Sequence, residues 1–322
     1  MASGTNNAAE DALGDVDVEQ WLDQAETDHA RAFAKTKRRA VMVGLIGVVW
    51  VIAALSGVLQ ALGGLLPFIA FATLFFGASA AVFALQPLFS WRRQARSALL
   101  TRLAQANGFI YEAEDPAHDL SAYREADLLP SYDRESLADR LSGSYRDVDL
   151  EFVHVHLQDE RRRSNGNTTT TEYVTVFNGL AGRFAFHKRF SGRTLVLSDL
   201  GAIGNWFVAL DQKPERVVLE DPTFEKVFEV YSTDQVEARR LLTPAFMHRL
   251  SSLRDRLDGR LQAAFVDDVL LLTVHGKRGL RAPELPLFGN LRETLDMSTF
   301  MAPIAFAHSV VDVLKLDART QI

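Results

Sequence analysis

The chain has 322 residues, with 35 Lys plus Arg against 41 Asp plus Glu and a formal net charge of −6, which allows an anchor plus one main folded unit and lacks the basic excess expected of a nucleic-acid binder. It contains no cysteine, which excludes disulfides, thiol catalysis and thiolate-ligated zinc or iron–sulfur centres. Charge is unevenly spread: Glu10, Asp11, Asp15, Asp17, Glu19, Asp23, Glu26 and Asp28 precede the first base, Arg31, whereas residues 40 to 91 hold no Asp, Glu, Lys, Arg or His.

Residues 1 to 39 read as an acidic, flexible segment. Trp21 within it is either a partner-docking anchor or one apolar residue of a short amphipathic helix. The apolar run begins only at residue 40, behind this acidic stretch, so it is expected to stay in the mature protein rather than be cleaved as a secretory signal. A helix needs roughly 20 apolar residues to cross about 30 Å of hydrocarbon, so the uncharged run from 40 to 91 suits two spans. The spacing predicts helices at Val41 to Gln60 and Pro67 to Ser90, with Gly63-Gly64 reversing the chain and Pro67 opening the second helix.

Lys and Arg beside membrane helices stay on the cytoplasmic side. Lys37, Arg38 and Arg39 precede the first span, Arg92, Arg93 and Arg96 follow the second, and the connecting turn has no base. Both termini are therefore expected in the cytoplasm, with Trp91 as an interfacial aromatic at the exit. Ala53 and Gly57 on one span and Gly77 and Ala81 on the other are small residues four apart, which let helices approach closely. They fit packing within the hairpin or self-association into a homo-oligomer. No ionisable group lies inside the spans, which argues against a pore or transporter.

Beyond the second span the helical pattern continues as a stalk from Arg92 to Ala106, with a stop at Asn107-Gly108. A short strand at Phe109 to Glu112 follows, then a loop- and helix-like stretch to about Ser142. From Gly143 the period changes to two. Val148 to Leu157, Tyr173 to Phe177 and Arg183 to His187 read as strands of a long hairpin with Arg161, Arg162 and Arg163 near its tip.

Further strands are predicted at Thr194 to Ser198, Arg216 to Leu219 and Phe228 to Tyr231. Asp221 before Pro222, Asp234 before Glu237 and Thr243 before Pro244 are helix-start signals. Leu261 to Val266 and Val269 to Val274 form a hairpin across Asp267-Asp268. Phe300, Ile304, Ala307, Val311 and Leu314 make the stripe of a core helix. The expected architecture is α+β: a transmembrane hairpin over residues 40–91, then a cytosolic domain over 92–322 with a largely antiparallel sheet and packed helices.

Three stretches carry a resemblance: Gly143 to Glu151, Arg183 to Thr194, and Phe228 to Arg239 leading into Leu242-Thr243-Pro244. They resemble the bacterial family catalogued as domain of unknown function 3137, over roughly residues 90 to 280. That resemblance implies a membrane hairpin with a cytosolic domain in a bacterial inner membrane and a LemA-type membrane protein as companion. It implies no activity and supplies no catalytic residues.

His154 and His156 lie two apart on one strand face and would bind a metal if His187 came in from a neighbouring strand. Against that reading, no HExxH or other recognised ligand spacing accompanies them. Gly201-Ala202-Ile203-Gly204 lacks the third glycine of a dinucleotide fingerprint, and no phosphate loop or nucleophile elbow is present. No cofactor is expected. Arg161 to Arg163 are either lipid-headgroup contacts or a solvated loop. The leading expectation is a membrane-tethered interaction or regulatory module, with the bilayer and a membrane protein as partners. The alternative is a membrane-tethered hydrolase using carboxylates with His154 or His187.

Overall fold

The computed structural model describes residues 18–55, 66–114, 118–164, 169–185, 189–198, 214–257, 259–276 and 281–316. They divide into two compact units. One comprises Val16–Leu100 with Pro283–Asp296, the other Thr101–Ala282 with Met297–Ile322.

The first unit is helical. Helix α1 runs Val18–Leu55 and α2 runs Leu66–Ala106. Residues 18–39, expected to be flexible, are therefore the first turns of the helix that was predicted to start at Val41. The sequence reason is an apolar stripe of Trp21, Leu22, Ala25 and Ala32, all buried, which recurs at helical spacing among the acids. Trp21 is 3% exposed, so it packs as a core residue and is not an open docking anchor. Gly57 and the turn glycines Gly63 and Gly64 lie outside the described residues.

Two helical stretches among the described residues are long and apolar enough to cross a membrane: Thr73–Ala106, which contains an 18-residue window of mean hydropathy 1.5, and Met297–Leu314, of mean hydropathy 1.4. They differ in surroundings. Leu74, Phe75, Phe76, Val82 and Phe83 of the first are exposed, whereas Phe300, Ile304, Ala307, Val311 and Leu314 of the second are buried as the stripe predicted. The second is a core helix of the sheet unit.

That unit begins where α2 stops. Gly108 takes φ 76°, a conformation glycine reaches without penalty, and Asn107 returns its side-chain amide to the Leu103 carbonyl at 2.8 Å. The elements that follow are β1 Phe109–Glu112, α3 Ser121–Glu125, β2 Arg134–Tyr145, β3 Val148–Ser164, β4 Thr169–Ala185, β5 Arg193–Leu197, β6 Glu215–Arg216, α4 Pro222–Glu225, β7 Glu229–Ser232, α5 Gln235–Leu241, α6 Pro244–Asp255, β8 Arg260–Val266, β9 Val269–His275 and α8 Met297–Leu314. Helix α7, Leu291–Thr294, belongs to the helical unit. The nine described strands form one sheet, ordered β1-β2-β3-β4-β9-β8-β5-β7-β6, with every pairing antiparallel. The fold is thus mixed helix and antiparallel sheet, as its pattern of strands and helices indicated.

The start signals work as read. Asp221 caps α4 through Thr223 and Phe224, Asp234 caps α5 through Val236 and Glu237, and Thr243 caps α6 through Phe246. Asp267 takes φ 52° in the β8–β9 turn, so a tight turn accounts for the acidic pair. One strand was missed. β2 occupies Arg134–Tyr145 because its alternation is broken by a bulge between Ala138 and Leu141, so its polar residues do not keep period two.

Alternation on β3 sorts the two faces of the sheet. Val153, Val155 and Leu157 point into a core with Leu120, Tyr123, Ala126, Leu128 and Leu129 from the 118–132 segment. Phe152 points the other way, edge-on to Phe306 of α8 at 6.1 Å, while Phe265 meets Phe246 of α6 at 5.7 Å. Helices α6 and α8 therefore cover one face, and α3 with its flanking loops covers the other.

Candidate functional site

In the sheet unit, ionisable side chains concentrate where β1, β2 and β3 meet the loop before α3. The bulge creates the site. Asp139 sits at φ 54°, a left-handed conformation that costs a non-glycine residue roughly 1–2 kcal/mol. Its carboxylate accepts from the Tyr111 hydroxyl at 2.5 Å and from Arg281 Nε at 2.7 Å. The extra residue turns Arg140 inward, where its guanidinium bridges Glu112 at 2.8 Å and Glu151 at 3.0 Å. Glu151 in turn holds His118 Nδ1 at 2.7 Å.

His118 has a side chain only 8% exposed. With Nδ1 held by the carboxylate, the other ring nitrogen is Nε2, and that atom is buried with no hydrogen-bond partner. The Tyr123 ring lies 6.5 Å away, and its hydroxyl is likewise buried and unpartnered. Burial first, then the nearby Glu151 carboxylate, pushes the Tyr123 phenol far above its ordinary value, which keeps it protonated. A carboxylate-oriented imidazole beside a protonated phenol is the arrangement that general acid–base chemistry uses. The same contacts also lock the β1–β2–β3 edge, because each charge has a partner or a nearby counter-charge.

None of these residues was singled out in the sequence. His118, the adjacent pair Asp139 and Arg140, and Glu151 sit on three separate stretches, and no spacing rule links a bulge to a loop histidine. His154 and His156 share a face of β3, but His156 Nε2 is engaged with Thr175 Oγ1 at 2.9 Å, and His187 lies outside the described residues. No group of three metal-ligating side chains occurs among the described residues. Gly201 to Gly204 also lie outside them. Arg161, Arg162 and Arg163 lie in the hairpin beside Asp159, Glu160 and Glu172, at 3.7, 2.8 and 3.9 Å respectively.

The helical unit places the basic residues unevenly. Arg39 donates to the Phe83 carbonyl at 3.1 Å and Gln86 Oε1 at 3.0 Å, with its guanidinium 4.4 Å from the Phe83 ring centre. Trp50 donates to Thr73 Oγ1 at 3.2 Å, so α1 and α2 run antiparallel with Arg39 level with Phe83 to Gln86. Lys37 and Arg38 are exposed beside it. By that register Arg92, Arg93 and Arg96 lie two to three turns further along, away from the apolar run. Arg92 pairs with Glu284 at 3.5 Å, and the buried Arg96 donates to the Pro283 carbonyl at 3.1 Å. Trp91, expected at an interface, is 5% exposed and donates to the Ala25 carbonyl at 3.1 Å. Gly77 and Ala81 are exposed, and a side chain at Gly77 would meet nothing within 4 Å. Ala53 belongs to α1.

These elements make a protein of mixed helix and antiparallel sheet, with two long helices preceding a nine-stranded sheet among the described residues. Residues 175–316, less than half of the chain, match the family described as "Protein of unknown function (DUF3137)". The match contains two of the three stretches that first suggested the family, leaves Gly143 to Glu151 outside, and extends further toward the C-terminus than the resemblance did. No curated protein matches the chain. Among solved structures, the mycobacterial trehalose monomycolate transport factor A, TtfA, is similar at 12% identity and a TM-score of 0.37, covering 70% of this chain and 95% of that one.

Proposed function

We propose that this is a membrane-anchored interaction protein, in which the C-terminal half of α1 and the N-terminal half of α2 lie in a bilayer and both termini share one side of it. The observation that carries the reading is an apolar surface with nothing over it. Val41, Met42, Leu45, Ile46, Val48, Val49, Trp50, Val51 and Ile52 of α1 are exposed, as are five large apolar side chains of α2 from Leu74 to Phe83. Burying each is worth roughly 1.5–3 kcal/mol, so together they favour lipid by on the order of 20 kcal/mol or more. Lys37 and Arg38 at the edge of this belt favour a cytoplasmic position for both termini, and the family resemblance implies a bacterial inner membrane.

Support for an interaction role comes from the β3–β4 hairpin. β2 reaches it only as far as Gln158 and β9 only as far as Gly179, so among the described residues no third strand pairs with Asp159 to Ser164 or with Thr169 to Val174, although the Glu160 N–H donates to the Asp133 carboxylate at 2.7 Å. Free strand edges are where chains add partners, and the LemA-type companion implied by the family resemblance is the first to try. A second reading, a membrane-tethered enzyme, rests on His118 with Glu151 at Nδ1 and an unpartnered Nε2.

In lipid vesicles, brominated acyl chains should quench Trp50 fluorescence, read as the difference between the full chain and Trp50→Phe, and the protein should stay in the membrane pellet in alkaline carbonate. Release into the supernatant with Trp50 unquenched would overturn the anchor.

A further inference from the structure

The segment between β9 and α8 does not stay with the sheet. Both of its flanks belong to the sheet unit, yet Pro283–Asp296 belongs to the helical unit. It is fastened there at successive points. The Pro283 carbonyl accepts from Arg96, Glu284 pairs with Arg92, and the Leu287 carbonyl lies 3.0 Å from His29 Nε2. His29 itself rests against Trp91, with ring centres 4.4 Å apart. Leu285 and Leu291 are buried.

The last fastening is ionic. Arg292 meets Glu19 at 2.6 Å, Asp23 at 2.5 Å and Glu26 at 3.5 Å. These acids are one turn apart on one face of α1, and an arginine fork suits several carboxylates at once.

We propose that Pro283–Asp296 is a releasable clasp, locked by Arg292 on the Glu19–Asp23–Glu26 face, through which the state of the hairpin helices reaches α8 and the sheet. Physical chemistry favours release here. The Glu19 and Asp23 side chains are about three-quarters exposed, so the pairs are screened by salt, while the backbone contacts nearer Pro283 persist as a hinge. Residue 297 opens α8, so the freed end of the clasp is the chain that enters the core helix. The proposal does not require the hairpin to be in lipid.

The test is amide hydrogen exchange on the full chain in detergent, reading residues 283–296 and the first turns of α8 against β8 and β9 as an internal standard. Arg292→Glu should raise exchange in residues 290–296 and in the α8 start about tenfold while β8 and β9 hold. Wild-type protein should move the same way as salt rises from 0.05 to about 1 M, over which the screening length shrinks to about 3 Å. Arg292→Glu combined with Glu19→Arg and Asp23→Arg should restore protection. If β8 and β9 exchange faster too, the salt titration of the wild type decides, since it alters no side chain. Protection unchanged by both charge reversal and salt would overturn the clasp; release confined to residues 290–296 would overturn the link to α8.

Discussion

Replacing Arg140 by alanine tests the polar cluster most directly. The guanidinium holds two carboxylates, and the structure ranks them. Glu112 is 44% exposed and Glu151 25% exposed, so water recovers much of the first charge and less of the second. Breaking a fully buried pair costs about 3–5 kcal/mol and an exposed one about 0–1 kcal/mol. Between these limits, the Glu151 arm is expected to contribute about 2 kcal/mol and the Glu112 arm about 0.5 kcal/mol. A total near 2.5 kcal/mol lowers the melting temperature by roughly 5–10 °C for a unit of this size. Differential scanning calorimetry of the full chain in detergent, run as double-mutant cycles of Arg140→Ala with Glu151→Gln and with Glu112→Gln, separates the arms. The reasoning is refuted if the Glu112 coupling equals or exceeds the Glu151 coupling, or if Arg140→Ala costs less than about 0.5 kcal/mol.

Three more perturbations are informative. At Asp139, alanine loses the Tyr111 and Arg281 contacts and keeps the strained backbone, whereas glycine loses the contacts but relieves the strain, so Asp139→Ala should melt lower than Asp139→Gly by about 1 kcal/mol. Gly179→Ala should be the most damaging glycine change tested by thermal denaturation: a Cβ there overlaps the Val274 carbonyl oxygen on β9, and backbone atoms cannot swing aside, so a loss above about 3 kcal/mol is expected. His308 stacks on Tyr145 with ring centres 4.0 Å apart, and burial lowers its pKa, outweighing the raising effect of Asp312. The folded state then binds fewer protons than the unfolded one between the depressed value and about 6.5. Stability should be complete above that range and fall on acidification through it, with the slope reduced in His308→Phe when melting is followed from pH 8 to 5.

Local chemistry made much of the fold legible. Capping residues, the Asn107-Gly108 stop, the Asp267-Asp268 turn and the stripe of α8 all act within a few residues of themselves, so spacing alone revealed them. The apolar run was equally plain, because its composition does not depend on what surrounds it. Where the reading failed, the deciding contact came from afar. The helix at residues 18–39 was obscured by its acids, some of which turn out to face Arg292, and Trp91 was placed at an interface because a sequence cannot show that Ala25 waits for its indole. β2 was lost to a bulge that pays for its strain through Tyr111 and Arg281.

Residue type and period were enough to reveal the apolar run of residues 40–91, the mixed helix and antiparallel sheet from Val148 onward and the lack of thiols. Which histidine meets a carboxylate, and that Pro283–Asp296 leaves the sheet unit, emerged only from the folded chain. His118 gains its carboxylate from a strand more than thirty residues away, and Arg292 gains three from the other end of the chain. Such pairings are set by how strands register and helices dock, and no local rule encodes them.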